Sequence, residues 1–234
     1  MNPSVVTLGS ARFSWPKSDA PVLDIERFDL RAGQRLFLHG PSGSGKSTLL
    51  NLIAGLVVPQ SGCAEVMGQD MGRLSGAARD RLRADHIGFV FQMFNLIPYL
   101  SVLENVCLPC GFSTRRRTEA ARNGQSVAQE ARRLLSHLGL DDEAVLRRQV
   151  TELSVGQQQR VAAARALIGM PALVIADEPT SALDSAHRDG FLTLLLSECA
   201  RAGAALLFVS HDIALARHFD DAVAISSINR ARAA

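Results

Sequence analysis

The chain has 234 residues, of which 47% are hydrophobic and 21% charged, and its formal net charge is +2. That length admits one substantial core, or one core with an inserted subdomain, and the hydrophobic content excludes a disordered chain. So small a charge excludes the strongly basic face of a nucleic-acid binder, and no apolar run approaches the roughly 18 to 20 residues of a membrane span.

Strand signals open the chain around Val5–Leu8 and Val22–Leu30, with a turn over Pro16–Ala20, and together they read as a small antiparallel edge. Arg35–His39 reads as a buried strand running into a glycine-rich loop, and Lys46–Leu56 follows with the apolar spacing of a helix. Ile87–Phe91 is the next expected strand. From about Asn95 to Thr151 the pattern turns helical, with Val127, Ala131, Leu134 and Leu138 on one face of an amphipathic helix. The basic run Arg115–Arg117 within this stretch reads as a solvated helix start. Beyond it come a helix over Val155–Ile168, an apolar strand over Leu173–Ala176, a helix over Ser185–Arg201 and a strand over Ala205–Val209. Ala222–Ser226 reads as a last strand before the tail Ile228–Ala234, which leaves no room for an appended regulatory domain.

Apolar strands joined by helices imply a parallel sheet covered on both faces, so the expected fold class is α/β. Residues 1–92 and 152–234 would form a catalytic core, with an antiparallel edge, and about 93–151 an inserted helical subdomain. Of the four cysteines only Cys107 and Cys110 have the spacing of a metal or redox pair, and without a second pair or a nearby histidine they read as ordinary thiols. The opening residues Met1–Ser10 lack the basic start and apolar core of a signal peptide, so a cytoplasmic location is expected.

The segment Gly40-Pro41-Ser42-Gly43-Ser44-Gly45-Lys46-Ser47-Thr48 fits the phosphate-loop pattern and lies between a strand and a helix, where its mechanism requires it. Glycines let backbone N–H groups turn inward around phosphate oxygens, and the helix that follows aims its positive dipole end at them. Lys46 would bring a full charge to the β- and γ-phosphates, and Ser47 would hold Mg²⁺ through its hydroxyl. Leu173-Val174-Ile175-Ala176-Asp177-Glu178 is an apolar strand ending in two carboxylates. Asp177 would orient Mg²⁺, directly or through water, and Glu178 would be left to polarise an attacking water as general base.

Leu153-Ser154-Val155-Gly156-Gln157-Gln158-Gln159-Arg160 begins a predicted helix and resembles the signature of ABC transporter ATPases, usually L-S-G-G-Q, in a resemblance that extends over nearly the whole chain. The resemblance implies a dimer in which each ATP lies between the phosphate loop of one copy and the signature of the other. Ser154, the Gly156 N–H and Gln157 would then bind the far side of the γ-phosphate. It also assigns Gln92 to Mg²⁺ and the attacking water, Ser181–Asp184 to the loop crossing the dimer interface, and His211 to the γ-phosphate. Phe13-Ser14-Trp15-Pro16 resembles the segment that stacks an aromatic ring on adenine; Trp15 aligns with that ring and Phe13 competes with it. Val155 departs from the pattern, standing where the signature's first glycine belongs, and a β-branched residue cannot adopt positive φ cheaply.

Gly88–Pro98 and Leu103–Val106 look like the branch that serves lipoprotein release and macrolide-type export, whose members pair with a separately encoded integral-membrane permease. Phe94, Leu96, Ile97 and Tyr99 would form a groove for a permease helix or pack within the helical subdomain. The expectation is therefore an ATP- and Mg²⁺-dependent ATPase, cytoplasmic and peripheral on the inner face of the cell membrane. The alternative is a cell-division type of ABC complex that signals to cell-wall hydrolases.

Overall fold

The computed structural model describes residues 2–16, 18, 20–181 and 185–231. In chain order the elements are β1 (Ser4–Phe13), β2 (Leu23–Arg31), β3 (Arg35–His39), α1 (Lys46–Ile53), β4 (Ser61–Val66), β5 (Gln69–Asp70) and α2 (Gly76–His86). There follow β6 (Ile87–Val90), α3 (Val102–Phe112), α4 (Thr114–Ala120), α5 (Val127–His137), α6 (Glu143–Leu146) and α7 (Val155–Leu167). The chain closes with β7 (Leu173–Asp177), α8 (Ser185–Ala202), β8 (Ala205–Val209), β9 (Asp221–Ala224) and α9 (Ile225–Ile228). Contact density divides them into two compact units, Met1–Arg83 with Ala205–Ala234, and Ala84–Ala204.

The first unit combines two kinds of sheet. An antiparallel sheet runs in the order β2-β1-β4-β5, with Leu8 opposite both Phe28 and Ala64. Along β1 the buried residues change phase, from Val6 and Leu8 to Ala11 and Phe13, across Ser10 at φ 48 and a register shift against β4. That irregularity hides the second half of the strand from a simple alternation rule. The turn expected over Pro16–Ala20 is described only in part: Ser18 N donates to Trp15 O at 3.0 Å, while Lys17 and Asp19 lie outside the described residues. Beside this sheet in sequence, β3 pairs in parallel with β8 and β9, placing Phe37 opposite Phe208 and Ala222. Every residue of β8 is buried, as a strand covered on both faces requires. The last expected strand ends early, because β9 stops at Ala224 and Ile225–Ile228 turns into the short helix α9.

In the second unit β6 and β7 are parallel, with Phe89 opposite Ile175. Three of the helices between them begin with reciprocal caps: Ser101 with Glu104 starts α3, Ser126 with Gln129 starts α5, and Ser154 with Gln157 starts α7. Each box satisfies two orphan backbone donors and fixes where the chain enters its helix. On α5, Ala131, Leu134 and the following Leu138 are buried on the face that their spacing selects. Among the described residues no helix is long and apolar enough to cross a membrane.

The basic run corrects an expectation. Arg116 is 1% exposed, and its Nη1 donates to the carbonyls of Ala166 at 3.2 Å and Ile168 at 3.1 Å, at the C-terminal end of α7. Arg115 donates to Asp85 O and Met170 O, and Arg117 to Cys110 O. Arg116 thus satisfies carbonyls that a helix end leaves open instead of facing water, whereas Arg115 is half-buried and Arg117 remains exposed. Burial pushes the Arg116 guanidinium down to about 10. Nearby Cys110 is buried and its thiol is pushed up to about 11 by that burial, while Cys107 is raised for the same reason, so neither has the thiolate character of a reactive site.

Candidate functional site: a phosphate loop and a capped signature helix

In the first unit the chain leaves β3 at His39 and turns through residues 40–45 into α1. Gly45 stands at the N-cap of α1 with φ 97 and ψ 5, and no side chain caps the helix there. The first N–H groups of α1 are therefore left to a ligand, which is the arrangement that phosphate binding at a helix start uses. A side chain at Gly45 would be strained by the positive φ and would lie 3.1 Å from both Val22 O and Leu23 Cδ2. Lys46 Nζ donates to Gly40 O and Pro41 O, each at 2.8 Å, and Ser44 Oγ donates to Pro41 O at 2.7 Å, so the loop's first residues are tied to its last. Ser42 and Ser47 are exposed and Thr48 is buried.

Two other expected residues belong to this unit. Phe13 is 7% exposed and packs within the antiparallel sheet, whereas Trp15 is 42% exposed and meets Phe13 edge-on at 5.1 Å. His211 lies exposed just beyond β8, after the buried Ser210. Arg12, next to the aromatic pair, is exposed and its Nη2 donates to Asp24 Oδ2 at 2.7 Å. That hydrogen bond holds the Asp24 carboxyl below its ordinary range and raises the guanidinium.

In the second unit, α7 organises the remaining candidates. Its N-cap Ser154 accepts from Gln157 N at 3.3 Å, and Gln157 Oε1 accepts from Ser154 N at 2.9 Å. Val155 is the first helical residue, is 48% exposed and does not have positive φ, so the missing glycine costs the backbone nothing here. The Ser154 hydroxyl still has its proton to donate, and the Gly156 N–H is one of the orphan donors of a helix start.

Further along α7, Gln159 is buried and its Nε2 donates to Pro179 O at 2.7 Å, holding the turn just after Glu178. Glu178 has φ 47 and its carbonyl accepts from Ser181 N at 3.2 Å. A left-handed non-glycine residue directly after a strand re-aims its side chain, at a backbone cost of order 1–3 kcal/mol that the surrounding bonds must offset. Asp177, the last residue of β7, is half-buried. Gln92 is exposed in the turn after β6, and the two residues Phe94 and Asn95 in that loop have φ 59 and 50. Arg165 on α7 reaches back to this loop, donating through Nη2 to Phe94 O and through Nη1 to Asn95 O, both at 2.6 Å. Burial lowers its pKa, but a guanidinium remains charged throughout the accessible range.

Gln159 and Arg165 thus tie α7 to these two loops, a role that the sequence reading assigned to neither, although Gln159 lies within the signature segment. Gln159 is buried on α7, where a polar side chain needs a partner, and Arg165 is half-buried on the same helix. In the groove expected for a permease helix, Phe94 is buried, Leu96 and Ile97 are half-buried, and Tyr99 is exposed, as is the neighbouring Met93. Of the segment Ser181–Asp184, only Ser181 lies within the described residues.

Residues 23–181 match the family model for the ABC transporter. The chain is 41% identical over 207 residues to the lipoprotein-releasing system ATP-binding protein LolD 2 of Caulobacter vibrioides, covering 88% of this chain and 87% of the relative. It is 40% identical to the LolD protein of Pseudomonas fluorescens, covering 91% and 89%. Among solved structures, the dimeric bacterial ABC transporter cassette MJ0796 superposes with a TM-score of 0.79 at 34% identity, covering 94% of each chain. A dimeric post-hydrolysis form of MJ0796 bound to ADP and Pi gives a TM-score of 0.78 at 35% identity, covering 94% of this chain and 93% of that one.

Proposed function

The chain belongs to the ABC transporter family as an ATPase subunit, and we propose that it powers the release of lipoproteins from a membrane through a separately encoded permease. The naming of relatives near 40% identity over most of their length supports that cargo class. The unit would work as a head-to-tail dimer, on the inner face of the cell membrane.

The observation that carries the reading is the contrast in how the loop and the signature are finished: the phosphate loop leaves its helix start uncapped at Gly45, while α7 presents a hydroxyl and an unpaired N–H at its own start. In this reading residues 40–48 hold the phosphates of ATP and Lys46 neutralises the charge that builds up between the β- and γ-phosphates. The greater exposure of Trp15 supports it over Phe13 as the ring that stacks on adenine. Glu178 takes a proton from the attacking water, and His211 and Gln92 orient that water and the γ-phosphate.

For the metal, the Ser47 hydroxyl, the Gln92 amide oxygen and the Asp177 carboxylate would be the ligands, and hard oxygen donors suit Mg²⁺ and not a thiol-seeking ion. Mg²⁺ supplies positive charge to the phosphate oxygens when bound. In the partner copy Ser154, Gly156 and Gln157 meet the γ-phosphate, so ATP joins the protomers and its hydrolysis releases them. Residues 93–151, in the division by function, form the helical part that faces the permease, with Met93 and Tyr99 as its exposed apolar contacts.

The test is to trap the closed state with Glu178→Gln in the native host, solubilise membranes with MgATP present and identify what co-purifies. A permease with a large extracytoplasmic domain, together with lipoprotein, is the expected result. Recovery of cell-wall hydrolase regulators instead would replace transport by signalling, and recovery of soluble partners alone would refute the membrane role.

A further inference from the structure

The C-terminal segment leaves β9 and comes back onto the phosphate loop. Ile225 is buried, and a Cβ at Gly40 would meet its Cγ2 at 2.4 Å, so the loop's first glycine is packed directly on α9. Four residues later Asn229 forms an isolated antiparallel bridge with Ile25 of β2. Its side chain is enclosed, the residue being only 9% exposed. Nδ2 donates to Val22 O at 2.9 Å and to Ser44 O at 3.3 Å. Oδ1 accepts from Asp24 N at 2.9 Å and from Ala231 N at 3.2 Å. A carboxamide has two donors and two acceptor lone pairs, so all four are used. Flipping the amide would set its oxygen against two carbonyls and its NH₂ against two N–H groups, so the network fixes its orientation.

We propose that Asn229 is a positioning residue for the phosphate loop, holding the Ser44–Gly45 peptide in the orientation that ATP requires. The proposal rests on reading residues 40–48 as the phosphate site. The peptide is planar and trans, so its C=O and N–H point in opposite directions. By drawing the Ser44 carbonyl toward the C-terminal segment, Asn229 turns the Gly45 N–H to the opposite side, where it can donate to phosphate. The same side chain grips Val22 and Asp24 at the start of β2. Val22 O and Leu23 are the groups that would crowd a side chain at Gly45. One carboxamide therefore sets the loop's last turn against the strand that flanks it, and the loop cannot swing away without giving up that bond and the packing of Gly40 on Ile225.

Asn229→Asp tests this, because it keeps the acceptor toward Asp24 and Ala231 but loses both donated bonds. At a temperature where circular dichroism shows the variant folded, the Kd for ATP should rise about tenfold, the effect of roughly one net hydrogen bond. The KM for ATP should rise in step, while kcat at saturating ATP stays within about twofold, a split that a loss of folded protein alone would not produce. Ser227→Ala, which removes a bond to Ala224 O in the same segment, should leave Kd unchanged. Should Asn229→Asp not fold, Asn229→Ser, too short to span these partners, is expected to give the same rise. Unchanged ATP affinity in a folded Asn229 variant would overturn the proposal. If Lys46→Ala also bound ATP normally, the phosphate-loop reading itself would fail; normal loss in Lys46→Ala with no loss in the Asn229 variants would sink the positioning role alone.

Discussion

The two helix starts that would face ATP are built in opposite ways. The start of α1 has a glycine in a left-handed conformation at its N-cap and no side-chain cap, so its orphan N–H groups are left to a ligand, which in the proposed reading is phosphate. The start of α7 is closed by a reciprocal Ser154–Gln157 box, which uses up two of its donors and leaves a hydroxyl proton and the Gly156 N–H. In the proposed reading an uncapped start gives up helix stability for phosphate contacts made within one protomer. A capped start is stable by itself and offers a smaller contact, which suits a surface that must meet its nucleotide only when a second copy arrives.

The sharpest way to break this comparison is to put a side chain where α1 needs none. Gly45→Val introduces a β-branched residue at φ 97 and crowds Val22 O and Leu23. At ~2–3 kcal/mol of backbone strain it should weaken ATP binding by about a hundredfold in an equilibrium titration, with far-UV circular dichroism little changed. Wild-type affinity in that variant would mean the loop is not the phosphate site.

At α7 the cap and the ligand role can be separated. Ser154→Ala removes the capping oxygen and should cost about 1 kcal/mol, lowering Tm by roughly 2–4 °C. Ser154→Asp caps as well as serine does but adds a negative charge, so Tm should hold while ATP-driven dimerisation weakens by about tenfold or more. Dimerisation unaffected by Asp would leave Ser154 with a capping role only. The smallest effect belongs to Val155→Gly: with Val155 already helical, restoring the usual glycine should gain nothing in ATP-dependent association and cost up to ~1 kcal/mol of helix stability.

Much of this was legible in the sequence because it depends on local pattern. The phosphate loop needs its glycines, lysine and serine at fixed spacing, and the buried strands β3, β7 and β8 are short apolar runs that chain neighbours announce. The helix α5 has one clean apolar face. What escaped lacks such a pattern. In α2 only Leu82 is buried, so Gly76–His86 shows no apolar stripe. In β4 the burial alternates only over its last residues, and β5 is two residues long.

The polar residues that escaped are those whose partners lie far along the chain. Arg116 looks like surface charge until the carbonyls at the end of α7 are in place around it. Arg165 and Gln159 look like an ordinary polar helix until the left-handed backbone at Phe94, Asn95 and Glu178 shows what they hold. Asn229 sits in the tail beyond the last expected strand, and the partners of its side chain, Val22, Asp24 and Ser44, are about two hundred residues away. Three capping boxes, by contrast, are written in the sequence as Ser followed by Glu or Gln three residues on, and they could have fixed the starts of α3, α5 and α7.

The central claim is that ATP is held between two copies, by the uncapped loop of one and the capped helix of the other. Sedimentation of Glu178→Gln, with and without ATP and Mg²⁺, tests it most directly. The account predicts a monomer without nucleotide, a dimer with ATP, hydrolysis slowed by about 10²- to 10⁴-fold, and loss of that dimer on adding Ser154→Arg while the monomer still binds ATP. A Glu178→Gln protein that stays monomeric with saturating ATP and hydrolyses it at the normal rate would contradict it.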